Sequence, residues 1–241
     1  MSRKPCFLTI LCIWALYISA FAQYEPTSKD ENIAMEAYGI KLGLRKDLHS
    51  VNSKAIDGSK GFGVGVPEIH RILRGDNGPY GSQLEADLHD KVCNADAVVV
   101  AKELNSSVHI TDNKAVIYTK HEVELSRILK GSPNLALGKT ISVAEIGGTV
   151  FDKGEKLRVD TVGLLPFSVG RSYLFVLAHQ PDAPPNLFTP TNAHQDDNIR
   201  VIAGRIQVSA SAVNGQFVSG ETVNDIYNRI RMALAKAPCS R

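Results

Sequence analysis

Cysteine is scarce in this chain. There are four in 241 residues, two of them (Cys6 and Cys12) within the first 22, and no C-x-x-C pair anywhere. A structural zinc site needs thiols or imidazoles at metal spacing. With no third ligand legible at that spacing, none is expected. Charge of either sign is also not in surplus, at 27 Lys+Arg against 25 Asp+Glu. There is no basic run with interleaved aromatics, so binding of phosphate polymers is disfavoured. No Gly-x-Ser-x-Gly elbow is present, which removes the usual signature of an activated serine. "GFGVG" at residues 61–65 lacks a strand before it and the full G-x-G-x-x-G spacing, so it does not read as a phosphate cradle. After residue 22 no apolar run approaches the roughly 20 residues of a membrane span.

What is present begins with a leader. Arg3 and Lys4 precede an apolar run from Phe7 to Phe21, and Ala20-Phe21-Ala22 supplies a small-x-small cleavage pattern. Residues 1–22 therefore read as a secretory signal peptide, with Gln23 as the mature N-terminus and an uncleaved anchor as the alternative. Cys12 has no small residue just before it, which argues against a lipid anchor. Removal of Arg3 and Lys4 leaves 25 charges of each sign on a mature chain of 219 residues. The expected residence is secreted, extracellular or periplasmic. Only Cys93 and Cys239 survive cleavage. Two thiols in an exported protein are expected to pair, with two free thiols as the alternative.

Residues 23–80 read as a poorly ordered N-terminal extension with short helices. "DENIAMEAYGIKLGL" suggests one helix, with Asp30 as cap and Ile33, Ala37 and Ile40 on one side. "VPEIHRILRG" suggests another, started by Pro67 and stopped by Gly75. From residue 81 to 241 the signals describe one domain. "SQLEADLHDKV" opens with Ser82 and Glu85 at capping-box spacing and carries a stripe of Leu84, Leu88 and Val92. "ADAVVVAKEL" is a β-branched strand covered on both faces. "AVIYTKHEVELSRILKG" alternates over a length of some 40 Å or more at about 3.3 Å per residue, so it should bulge and coil within a closed sheet.

"KTISVAEIGG" and "RSYLFVLAHQ" give two further strands, "KLRVDTV" a short one, and "NIRVIAGRIQV" a strand bent at Gly204. "PDAPPNLFTPTNAHQDD" reads as a loop from its prolines and acids. "TVNDIYNRIRMALAKA" closes the chain as a helix, with Thr222 and Asp225 at capping-box spacing and Val223, Ile226, Tyr227, Ile230 and Leu234 along one face. The pattern spells a mainly β domain, a small barrel flanked by two helices. Cys93 ends the first helix and Cys239 follows the last, so a disulfide would lock the two helix ends together.

"VCNADAVVVAKEL", "YTKHEVELSRILKG", "TISVAEIGG" and "VGRSYLFVLA" together resemble the netrin-like (NTR) module, the group that includes the inhibitory domain of the tissue inhibitors of metalloproteinases. The likeness spans roughly residues 82–239. It implies a five-stranded OB-like closed barrel with N- and C-terminal helices packed on it. It also implies a disulfide from Cys93 toward the C-terminal part, which Cys239 would satisfy. The inhibitors chelate a protease zinc through an N-terminal cysteine. Gln23 stands at that end here, so inhibition does not carry over.

Seven histidines are candidates for chemistry. His121 and Glu122 are strand neighbours facing opposite ways, and His121 falls on the apolar face, which suits a buried, hydrogen-bonded histidine. His89 lies one turn after Glu85, where surface pairing is the plain reading. His109 and Asp112 share a turn. His194, Asp196 and Asp197 share an acidic loop that could hold a cation through oxygen ligands. Asn105-Ser106-Ser107 is a glycosylation sequon in a loop. No catalytic residue, cofactor or resident metal follows from the sequence. The expectation is a monomeric, non-enzymatic binding module that meets an extracellular protein or glycan, with no nucleic acid and no membrane span. The alternative is an exported hydrolase or metal-dependent enzyme with a loop-built site from His109, Asp112, His194 and Asp196.

Overall fold

The computed structural model describes residues 27–41, 83–131, 134–152, 155–159, 167–191, 198–208 and 217–239. The leader, the helix read at 66–75, "GFGVG", Ser82, and His194, Asp196 and Asp197 lie outside the described residues. The elements are α1 (Lys29–Lys41), α2 (Gln83–Asn94), β1 (Ala97–Ile110), β2 (Ile117–Lys130), β3 (Thr140–Ile146), β4 (Gly148–Asp152), β5 (Glu155–Val159), β6 (Ser172–His179), β7 (Leu187–Pro190), β8 (Asn198–Ile202), β9 (Arg205–Gln207) and α3 (Val223–Lys236).

The strands pair in the order β1-β2-β3-β7-β6, and β6 returns to β1, so five strands close a ring. All its pairings are antiparallel except β3 with β7. Closure follows from length and curvature. β1 and β2 have 14 residues each, and their ladder shifts register at Val98/Val99, Val100/Ala101 and Glu103/Asn105. Each irregularity increases local twist, which lets two long strands coil rather than project as a flat ribbon. Residues 97–101 of β1 lie between β2 and β6 and are all buried, as their unbroken apolar run requires.

Alternation sorts β1 between two cores. Ala97, Val99 and Ala101 join Val123, Leu125, Ile141, Val143, Tyr173, Phe175, Leu177 and Phe188 in one cluster inside the ring. Val98 and Val100 join Leu174, Val176, Ile199 and Ile206 in another, outside it, with Leu88 and Val92 of α2 and Val223, Ile226 and Ile230 of α3. Leu88 and Val92 of the α2 stripe and Val223, Ile226 and Ile230 of the α3 stripe therefore cover the sheet. Lys130 secures the end of α2 by donating to the carbonyls of Val92 at 2.7 Å and Ala95 at 2.6 Å. Burial holds its ammonium below the usual lysine range, and nearby Asp96 opposes that shift in part.

The capping box of α3 is formed. Asp225 N–H donates to Thr222 Oγ1 at 3.1 Å, and Thr222 N–H donates to Asp225 Oδ2 at 3.2 Å. The hydroxyl of Thr222 also donates to Asp225 Oδ2 at 2.6 Å. These bonds, the side-chain one foremost, hold the Asp225 carboxyl below its ordinary range. A carboxyl lowered in the folded state adds stability above its unfolded pKa of about 3.9, and that contribution disappears as pH falls through the folded value. D225N is expected to flatten the acid limb of the melting-temperature profile of the wild type below about pH 4. Identical limbs in the two proteins would refute this role.

Several sequence expectations are corrected. The segment read as a loop over 181–197 contains β7, which closes the ring by pairing with β3 and β6. Its four residues begin two positions after Pro184-Pro185 and end on Pro190 itself, so turn chemistry masks a strand only four residues long. The glycine break at Gly204 is a full reversal rather than a bend. Ala203 and Gly204 have φ of 49° and 73°, the left-handed pair that joins antiparallel β8 and β9. The "Gly147-Gly148" stop leads directly into β4, which pairs with β5. At Gly148, φ is 135° and an added Cβ would lie 2.5 Å from Val108 Cγ1, so the backbone of this hairpin approaches β1 as only glycine permits.

The first helix is present but turned around. Ile33 and Ile40 are 45% and 56% exposed and Ala37 is exposed, while Ala34, Met35 and Tyr38 are buried. Met35 and Tyr38 pack on Tyr118, Ala144 and Ile146. Polar anchors set that orientation. Tyr38 donates to the carbonyl of Pro190 at 3.0 Å, Asn32 exchanges bonds with Asp112 at 3.1 and 3.2 Å, and Glu31 accepts from Tyr118 at 2.8 Å and from Lys120 at 3.3 Å. Part of the N-terminal extension is thus docked on the outside of β2 and β3.

Candidate functional site

Inside the ring, the inward positions of three neighbouring strands change character at one end. On β1 the series Ala97, Val99, Ala101 continues to Glu103. On β2 Leu125 and Val123 lead to His121, and on β3 Ile141 and Val143 lead to Glu145. All three polar residues are buried, Glu103 at 1%, His121 at 5% and Glu145 at 6% exposure. His121 Nδ1 lies 2.9 Å from Glu103 Oε1. A carboxylate accepts, so the ring N–H is the donor. His121 Nε2 faces Glu145 Oε2 at 3.9 Å, within ion-pair range but beyond a hydrogen bond. Glu103 Oε2 has no hydrogen-bond partner among the described residues.

Aromatic rings close over this carboxylate–imidazole–carboxylate chain. Phe167 sits 4.2 Å from the His121 ring, 4.6 Å from Tyr173 and 5.5 Å from Phe175, centroid to centroid. The expectation of a buried, hydrogen-bonded His121 holds. Sequence reasoning missed both carboxylate partners. Glu103 shares the parity of Ala97, Val99 and Ala101, and Glu145 that of Ile141 and Val143, so strand alternation carried the signal.

The rim above the chain carries two exposed aliphatic side chains among polar ones. Gly170 N–H donates to the Glu103 carbonyl at 2.7 Å, and Glu103 N–H to that of Arg171 at 2.9 Å. The turn before β6 is thereby tied to the β1 bulge, and Ser168 N–H donates to Tyr173 Oη at 2.9 Å. This fastening brings Leu104, 41% exposed, and Val169, 64% exposed, to one edge of the ring. The bulge turns Leu104 outward immediately beside inward Glu103. The β4–β5 hairpin packs Val150 on Ile110 and Ile117 and leaves Phe151 68% exposed.

A second cluster lies at the paired helix ends. Cys93 and Cys239 are joined as a disulfide with Cα atoms 5.3 Å apart. His89 does not pair with Glu85, which instead accepts from Lys236 at 3.0 Å. His89 Nε2 lies 2.7 Å from the Ala237 carbonyl and 3.3 Å from Cys93 Sγ. One ligand atom from each of His89, Cys93 and Cys239 lies within 4.8 Å of the others. His89, four residues before Cys93 on the same helix face, is the third potential donor that the sequence did not reveal.

The remaining sequence candidates have other occupations. His109 is buried, 2.7 Å from Ser107 Oγ and stacked on Tyr118 at 5.3 Å. Asp112 is exposed and bonds Asn32. The other two members of the proposed loop site, His194 and Asp196, lie outside the described residues. The sequon at Asn105 falls within β1, not in a loop, with Asn105 and Ser106 exposed. No helix among the described residues is long and apolar enough to cross a membrane. The chain matches no protein-family model and no curated protein.

Proposed function

We propose that this chain is a secreted, non-enzymatic binding module on a closed barrel of the OB-like, NTR-like kind. Its partner is an extracellular protein or glycan that docks on the rim around Leu104 and Val169. The five-strand ring with a parallel β3–β7 contact and two flanking helices supports the barrel reading. A disulfide between helix ends suits an oxidising compartment. The observation that carries the rim assignment is the backbone fastening of the turn before β6 to the β1 bulge. It holds two exposed aliphatic side chains on a rigid edge. Pre-ordered apolar groups lose little entropy on docking, and aliphatic contacts favour a protein surface over a sugar.

The test compares wild type with L104D/V169D, immobilised and exposed to the extracellular fraction of the source and to a glycan array. Buried interface anchors contribute about 2 kcal/mol or more each. Affinity for the partner is therefore expected to fall by roughly several hundredfold in the double variant, with an unchanged circular-dichroism spectrum. Equal retention by both proteins would move the docking face away from this rim.

A further inference from the structure

We propose that His89, Cys93 and Cys239 form a redox-gated site for a thiophilic divalent cation of the zinc class. The site is closed while the two sulfurs are bonded and opens when a dithiol reductant separates them. His89 and Cys93 stand one turn apart at the end of α2, and Cys239 follows the end of α3. Their donor atoms already lie within 4.8 Å of one another. Tetrahedral zinc would set the two sulfurs about 3.8 Å apart and each about 3.6 Å from the imidazole nitrogen. His89 Nε2 already stands 3.3 Å from Cys93 Sγ, so the principal movement is the parting of the sulfurs.

The surroundings favour a cation. Two helix C-termini converge here, and each carries partial negative charge on its last carbonyls. Asp90 Oδ1 is 3.4 Å from His89 Nδ1, and the Ala237 carbonyl, which accepts from the Nε2–H at 2.7 Å, must turn aside before Nε2 can ligate. Ligation through Nε2 moves the ring proton to Nδ1, toward Asp90. That carboxylate then takes the second-shell role that orients metal-binding histidines. All three ligands are half-buried, which leaves the sulfurs within reach of a reductant and a fourth position open to solvent.

The step balances as follows. The dithiol gives two electrons and becomes a disulfide, while the Cys93–Cys239 S–S bond breaks. The dithiol's two protons pass to the freed sulfurs, and the incoming cation displaces them to solvent as both thiolates ligate it. Reoxidation by the reverse exchange expels the cation. The metal thus replaces the covalent clamp between α2 and α3.

Cobalt(II) is the probe, added under anaerobic conditions to the full secreted chain after dithiothreitol treatment and desalting. The reduced wild type is expected to bind one Co2+ per chain, with thiolate-to-cobalt charge transfer in the near ultraviolet and tetrahedral bands in the visible. The oxidised protein should show neither. H89A is expected to weaken binding by roughly tenfold or more. C93S/C239S should abolish the charge-transfer band. The absence of these bands in reduced protein overturns the proposal, whether its circular dichroism is native or remains lost after metal is added. Equal binding by H89A, or by the oxidised chain, also overturns it.

Discussion

Replacing both Cys93 and Cys239 by serine is expected to lower unfolding free energy by about 5 kcal/mol, because the loop they close is long. The two cysteines are 146 residues apart, so the bond constrains most of the domain in the unfolded chain. A single domain has about 5–15 kcal/mol in all, which makes this the largest single contribution expected from any covalent or polar feature described. The native contacts near the bond are modest by comparison. Lys236 with Glu85 is a partly exposed pair of the kind worth at most about 1 kcal/mol. Urea unfolding of wild type and variant, both with a chelator present, gives the difference. A loss below about 1 kcal/mol would show that the packing of α2 and α3 on the sheet already holds their ends together.

His121→Ala is expected to cost about 3–5 kcal/mol, because it removes the hydrogen-bonded partner of the buried Glu103 carboxylate. The damage comes from that unpaired group rather than from the lost ring, and this separates it from an ordinary cavity. A concerted E103L/H121F/E145L replacement removes all three polar groups and is expected to be neutral or stabilising by a few kcal/mol. Both outcomes are read from the same denaturation curves. If H121A falls within about 1 kcal/mol of wild type, the Glu103–His121 bond is not a constraint on the fold. If the triple variant is as damaged as H121A, the site requires polarity for a reason other than charge pairing.

Much of this arrangement was legible where periodicity and burial coincide. The stripes of α2 and α3 read correctly because Leu88, Val92, Ile226 and Ile230 are all buried in one cluster against the sheet. The length of β2 implied bulging, and the ladder irregularities supply it. Legibility failed where local chemistry competes with tertiary demand. β7 is four residues that follow two prolines and end on a third, and what makes it a strand is the gap between β3 and β6. The orientation of α1 follows Asn32, Glu31 and Tyr38, whose partners are at least 80 residues distant and invisible to a local pattern. The third member of the sulfur cluster was missed for a related reason. His89 looks like one half of a surface pair until Lys236 claims Glu85.

The parallel seam between β3 and β7 holds the ring shut with only Ser142–Leu187 and Val143–Phe188 in register. Every other junction of the ring has more rungs, so thermal breathing should begin there, as strands with the fewest shared bonds part first. Unzipping that seam turns a closed ring of strands into an open, curled ribbon and lets water in beside Val143, two residues from Glu145. The protein thus carries a weak hem beside its most polar interior.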